Sequence, residues 1–294
     1  MPEDAFVCEP KHPSYTFPGS HPPPLGAWLL ANTLVYTVPA ISSAPPGSRH
    51  SMPLPRFSLH TSIVLHPAGS NVCDVRAAGA VGDNHTDDTA AVQRVIDMCT
   101  AAYPAGAVVV FSGPATYRIT ASIALASNLT LALAQNTTIF SAYTPYMPVM
   151  QNPRCPTLYW AKGPTAVLCG SNLTNVAIVG AATDSSVVDG GGWPWYEAAL
   201  NKSSGVGFGT GPRLFEVAWT ENVTLSHITF TNSPAWTVHP TYCKGVLAES
   251  IQILNPRFTP NTDGFDPDSS ADVVLRDSLI DTGGSGSPSV LSPG

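Results

Sequence analysis

"ENVTLSHITF", residues 221–230, returns twice in altered form, as "KGVLAESIQI" at 244–253 and "ADVVLRDSLI" at 271–280. The three units begin 23 and 27 residues apart, counting 221 to 244 and 244 to 271. A fourth relative, "NLTNVAIVG" at 172–180, stands about two such periods upstream. Self-similarity at a period of roughly 20 to 50 residues marks a solenoid, in which a unit too small to bury its own apolar face stacks on its neighbours. Each unit is a short run rich in Val, Leu and Ile, and no helical run separates the last three. Strands are therefore predicted, and a β-helix is favoured over leucine-rich or helical repeats. Stacking coil on coil turns the inward side chains into a continuous apolar column.

Working upstream, "GAVVVFSG" (106–113), "YRITASIAL" (117–125), "NLTLAL" (128–133) and "NTTIFSA" (136–142) read as further short strands. Before them, "NVCDVRAAGAVGDNHTDDTAAVQRVIDMC" (71–99) reads as a strand, a Gly-rich turn and a helix over 88–102. Val92, Val95, Ile96 and Cys99 fall on one face of that helix. Thr86 or Asp88 is placed to cap it, and Asp87 and Asp88 suit the positive end of its dipole. Such a helix would close the open end of the stack, where a bare strand edge invites pairing. The paired carboxylates of "TDDT" (86–89) are accordingly assigned to capping rather than to chemistry.

The chain has 294 residues, with 44% hydrophobic and 11% charged, well under the roughly 25% charged of an average domain. That composition supports a sizeable core and excludes general disorder. A net charge of −7 argues against nucleic acid as a partner. Six Asn-X-Ser/Thr sequons (Asn84, Asn128, Asn136, Asn172, Asn201, Asn222) and six cysteines suggest a secreted glycoprotein. Cys73 with Cys99, and Cys155 with Cys169, are candidate bridges, and spacing does not fix the pairing. Residues 24–44, "PLGAWLLANTLVYTVPAISSA", fit a signal-peptide core and equally a Pro-rich leader. Asn32 and Thr33 interrupt them, so no stable membrane span is expected. Three segments follow: a leader and linker over 1–70, a β-helical domain over 71–283, and a Gly/Ser/Pro tail over 284–294.

Three aspartates cluster in "NTDGFDPDSS": Asp263, Asp266 and Asp268. On an extended strand, alternate residues project to one face, and in a solenoid that face forms a groove suited to a polymer. An inverting glycosidase needs two carboxylates roughly 6.5–9.5 Å apart, and residues on coils stacked about 4.8 Å apart can meet that spacing. A plain Asx turn accounts for the same residues. The blocks "GAVGDNHTDDTAAVQRVIDMC", "VVDGGGWPWYE", "GPRLFEVAWTENVTLSHITFTNSPAWTVHPTYCKGV" and "PNTDGFDPDSS", taken in order from about Cys73 to Gly283, resemble the polygalacturonases, family 28 of the glycoside hydrolases, in their plant-type branch. A pectate lyase would share the β-helix but does not match these blocks.

The resemblance implies a right-handed parallel β-helix with an N-terminal capping helix, secretion to the cell wall, and a monomer that needs no cofactor or metal. Its substrate would be pectic polysaccharide, cut at α-1,4-galacturonosyl bonds with inversion. It implies that Asp263 activates the water and that Asn261 helps hold the site. Asp266, within the extended motif, takes a mainly structural part, and His239, one coil earlier, either lines the groove or is buried. These last three make up the substrate-binding set. Trp193, Trp195 and Tyr196 either stack on sugar rings or pack in the core. One departure stands out. Where the family carries Gly-Asp-Asp, supplying the general acid and a second water-activating carboxylate, this chain reads Gly283, Gly284, Ser285. The later Gly-His-Gly and Arg-x-Lys motifs have no counterpart, so the expectation is a β-helix incomplete at its C-terminus and a chain without turnover. The alternative is a catalytically dead pectin-binding or structural wall glycoprotein.

Overall fold

The computed structural model describes residues 71–148, 152–155, 164–283 and 289–290. The leader assigned to 1–70, and most of the tail assigned to 284–294, lie outside the described residues. Within them the chain winds as a right-handed parallel β-helix of three sheets. The first sheet stacks Val72–Asp74, Ala107–Phe111, Leu129–Leu133, Thr174–Gly180, Glu221–Ser226, Lys244–Glu249 and Ala271–Arg276. The second runs from Asp83–Asp87 through Ala115–Ile119, Thr137–Ser141, Ser186–Asp189, Thr229–Thr231 and Gln252–Leu254 to Leu279–Asp281. The third holds Ile123–Ala124, Leu168–Ser171, Phe215–Ala218 and Val238–Thr241, and bridges at Phe265 and Asp268 extend it by one coil. Ser289–Val290, inside the segment read as a tail, adds an antiparallel strand against Leu279–Asp281.

Each repeat seen in the sequence is two strands and a bend. Glu221–Ser226 passes to Thr229–Thr231 through His227, and the following coils bend at Ser250 and Asp277. All three bend residues have φ near +50°. The unit at 172–180 needs a correction. Its strand Thr174–Gly180 pairs directly with Glu221–Ser226, so the interval is one coil and not two. The extra length is a loop before the third sheet that carries helix α2, Trp193–Leu200.

The apolar columns follow from register. In the first sheet Val109, Leu131, Ile178, Leu225 and Ala248 stack in line, all fully buried. In the second, Tyr117, Ile139, Val188, Phe230 and Ile253 do the same. Burying each large aliphatic in such a column contributes about 1.5–3 kcal/mol. Helix α1, Thr89–Ala102, covers the N-terminal end with Val92, Val95, Ile96 and Cys99 inward, as the periodicity predicts. Its capping differs from expectation. The Asp88 carboxylate turns away and accepts from the Val81 and Gly82 amides at 2.6 and 3.1 Å. Asp87 receives the Thr89 amide and hydroxyl instead. Disulfides join Cys73 to Cys99 and Cys155 to Cys169.

Candidate active site

The loops that enter the third sheet, and its strands, hold the predicted site residues. Asn261 begins the motif in a left-handed conformation (φ +62°), a region Asn tolerates better than most residues. It is exposed, and its side-chain amide donates to the Phe208 carbonyl at 3.3 Å. Thr262 is buried, with its carbonyl accepting from the Asn255 side chain, which also donates to the Thr237 hydroxyl at 2.7 Å. This clamp fixes the backbone at Asp263, whose carbonyl takes the Thr237 amide at 2.9 Å. Gly264 is required by space, since a Cβ there would stand 2.6 Å from the Ile280 methyl. Asp263 is half-buried.

Register places Glu216 beside His239, and the bridges on either side place Asp266 next in the same row. His239 is 1% exposed, and its Nδ1 pairs with Glu216 Oε1 at 2.8 Å. Arg213 Nε donates to the same oxygen at 3.2 Å, while its guanidinium lies 5.0 Å from the centre of the Trp236 ring. Asp266 Oδ2 is buried and has no hydrogen-bond partner. Its carboxyl is pushed up to about 6, first by burial and then by the charge of Asp263, with His239 opposing. Asp263 and Asp266 thus form an interacting pair at the head of a buried ionic row.

Glu216, Arg213 and Trp236 were not singled out by the sequence reading. The repeat itself carried the signal, because Glu216, His239 and Asp266 occupy one register row on successive coils. The aromatic trio divides. Trp195 and Tyr196 are core residues, donating to the carbonyls of Tyr143 and Ser233, whereas Trp193 is 52% exposed. Gly284 and Ser285, where the family resemblance leads one to expect an acid pair, lie outside the described residues. No helix among the described residues is long and apolar enough to cross a membrane.

Solved structures share this parallel β-helix. The polygalacturonase from Erwinia carotovora ssp. carotovora superposes with a TM-score of 0.58 at 24% identity, covering 75% of this chain and 58% of that one. The hyperthermoactive exopolygalacturonase from Thermotoga maritima gives 0.56 at 24%, covering 72% and 52%. The chain belongs to the glycosyl hydrolases family 28, whose model matches residues 118–285. A second model, rhamnogalacturonase A/epimerase, pectate lyase-like, matches residues 72–143. Among curated relatives, a "Probable polygalacturonase" of Vitis vinifera is 31% identical over 213 residues, 70% of this chain and 41% of its own length. An endo-polygalacturonase of Pectobacterium carotovorum subsp. carotovorum is 26% identical over 240 residues, covering 77% and 56%. The chain spans about half the length of the curated relatives it matches.

Proposed function

We propose that this is a polygalacturonase-type protein whose third-sheet groove binds pectic polysaccharide, with Asp263 as the carboxylate that activates water. The observation that carries the reading is the Asp263–Asp266 pair at the head of the buried third-sheet row, in a chain of family 28. Inverting hydrolysis of an α-1,4-galacturonosyl bond needs a base on one side of the sugar and an acid on the leaving oxygen. Asp263 supplies the base. Half-burial keeps it in reach of solvent, and the Asn255–Thr237–Thr262 clamp holds its backbone. Asn261 and Asp266 frame it, and His239 braces the row from beneath by holding Glu216.

The acid is where this chain departs. Gly284 and Ser285 stand where the family has Asp-Asp, and loss of a general acid removes about 10²–10⁴-fold in rate. This chain keeps the proposed base and lacks the acid, so it is expected to hold pectic polymer with turnover near background. Secretion and attached glycans fit the six sequons and the two disulfides. The test is reducing-sugar release from polygalacturonate by the 294-residue chain, alongside retention of the chain on immobilised polygalacturonate. Retention without release is expected. Clear release would overturn the account of the missing acid, and failure to be retained would overturn the groove assignment.

A further inference from the structure

At the corner where the third sheet turns into the first, Asn172, Trp219, Tyr242 and Ser269 hold one position on successive coils. All four are in the left-handed conformation, with φ of +48° to +55°, so their side chains leave the corner side by side. Trp219 stacks on Tyr242, with ring centres 5.4 Å apart and planes 10° from parallel. Its other face looks toward Asn172, whose backbone N–H donates to the Ala218 carbonyl at 3.0 Å. Asn172 is too short to cover an indole, and Trp219 stays 43% exposed. Upstream of Asn172 the corner is open. From Cys169 to Val176 the chain advances 7 positions (176 − 169), against 5 (129 − 124) on the paired coil from Ala124 to Leu129. The bonds from Ser127 to Thr174 and from Asn175 to Asn128 place the two extra residues at Asn172 and Leu173. Asn172 therefore juts past the coil before it and is exposed. A bulky residue with positive φ is a genuine outlier that carries a backbone cost. Stacking a partly wet indole on one tyrosine offsets that cost only in part.

Asn172 also opens a sequon, Asn172-Leu173-Thr174, and Thr174 is exposed as well. Two other sequon asparagines are differently placed. Asn128 and Asn222 are half-buried and commit their side-chain nitrogens to the Pro104 carbonyl and to Asn175. The Asn172 nitrogen donates only to the adjacent Ser171 hydroxyl, at 3.1 Å, a bond that joins no two coils. A substituted amide keeps one N–H and can keep that bond. We propose that Asn172 carries an N-linked glycan whose first N-acetylhexosamine lies on the open face of Trp219, lengthening the Trp219–Tyr242 stack by one ring. This rests on the secretory part of the reading above and not on its pectic part. The donor is an oligosaccharide on a lipid pyrophosphate, used by the transferase of the secretory route. The Asn172 nitrogen bonds to C1 of the hexosamine as the C1–O bond breaks. The lipid pyrophosphate leaves with the electron pair, and one amide proton passes to a base of the transferase. Coils stand about 4.8 Å apart, so a ring hung from Asn172 starts at stacking height above the indole, within the roughly 4.5–7 Å that stacked rings prefer. The apolar C–H face of the sugar takes the indole out of water, and its hydroxyls stay in solvent. Without the glycan, Trp219 has Tyr242 alone to stack on.

Peptide mapping by mass spectrometry locates the glycan on the full chain made in a eukaryotic host, with and without a fused signal peptide. Asn172 bearing hexosamine in both forms is expected. Other sequons occupied with Asn172 bare overturns the site. Asn172 occupied only with the fused signal overturns the secretory reading and leaves the site standing, and no glycan at any sequon in either form overturns both. The stacking is read from a double-mutant cycle on melting temperature. Thr174→Ala removes the sequon with Asn172 left in place, and Trp219→Ala removes the ring, so effects of either change alone cancel. With Trp219 present, loss of the Asn172 glycan should lower the melting temperature by about 2–4 °C, the size of one ring contact in a chain of this length. In Trp219→Ala the same loss should shift it by less than ~1 °C. An equal drop in both backgrounds overturns the contact with Trp219, and a rise on losing the glycan overturns it as well.

Discussion

Two lateral rows run along this solenoid at right angles to its strands, and they solve the same problem in opposite ways. At the corner between the third and first sheets, Asn128, Asn175 and Asn222 stack in register. Each is in the left-handed conformation, with φ of +56° to +58°. The Asn175 amide donates to Asn128 at 2.7 Å, and the Asn222 amide donates to Asn175 at 3.0 Å. The row is neutral and hands a hydrogen bond from coil to coil. On the third-sheet face, Glu216, His239 and Asp266 also stack in register, but they are titratable, and the row ends on a buried carboxylate oxygen with no partner. A buried polar row stabilises when every member is paired and costs free energy when one is not. The first row is built for the fold. The second keeps an unpaid polar group beside Asp263, where a ligand can use it.

The largest expected effect breaks the satisfied row in the middle. Asn175→Ala removes both of its inter-coil hydrogen bonds, at about 1 kcal/mol each. It also puts a less tolerant residue into the left-handed region, at about 1–2 kcal/mol. The sum is a loss of about 3 kcal/mol in denaturant unfolding. Asn175→Gly should lose only the hydrogen bonds, because the same corner position two coils on is natively Gly245, with φ +71°. Equal losses for Ala and Gly would mean the backbone conformation carries no cost there.

The second effect inverts the first, since here a removal stabilises. Asp266 has a folded value of about 6 against 3.8 for the free side chain. A carboxyl raised on folding favours the folded state while protonated, so its contribution is full below about pH 4 and is lost as pH rises through about 6. Asp266→Asn should therefore stabilise the chain at pH 7.5, by at most ~2–3 kcal/mol for a shift of about two units. The gain should vanish at pH 4. A pH-independent change in melting temperature would show that packing, and not charge, governs this position.

The two rows also differ in how far the sequence discloses them. The apolar columns were legible because β-branched residues recur at the coil period, and α1 because four apolar residues share a face. The asparagine row hid behind another reading. Asn128 and Asn222 are sequons, and the side-chain amide nitrogen that would carry a glycan is the one that donates, to Pro104 and to Asn175. The 47-residue step from Asn175 to Asn222 obscured the repeat, because α2 is inserted in that coil and the stacking ignores it. Of the ionic row, Asp266 and His239 were named from their motifs, as was the neighbouring Asp263. Glu216 and Arg213 lie in "GPRLFEVAW", where composition suggests only a strand, and burial of their charges is visible only once coils are in register. Trp193 could not be told from Trp195 because both belong to an apolar helix, and only the fold decides which one faces out.

The smallest effect tests whether a row at a corner needs chemistry at all. One residue before each turn into the first sheet stand Asn172, Trp219, Tyr242 and Ser269, all with φ near +50° to +55°. Trp219 and Tyr242 stack with ring centres 5.4 Å apart and planes 10° from parallel, and Trp219 is 43% exposed. An aromatic pair contributes about 0.5–1.5 kcal/mol, and less where solvent reaches it. A bulky residue in the left-handed region costs a comparable amount that Asn largely avoids. In Trp219→Asn the lost stacking and the relieved backbone should nearly cancel, leaving stability within ~0.5 kcal/mol of the native chain. Trp219→Ala keeps most of the backbone cost and loses the stacking, so it should fall by ~1 kcal/mol. The two variants differ only in what they ask of the backbone, and a melt that ranks Ala at or above Asn would remove the left-handed corner from the account of this row.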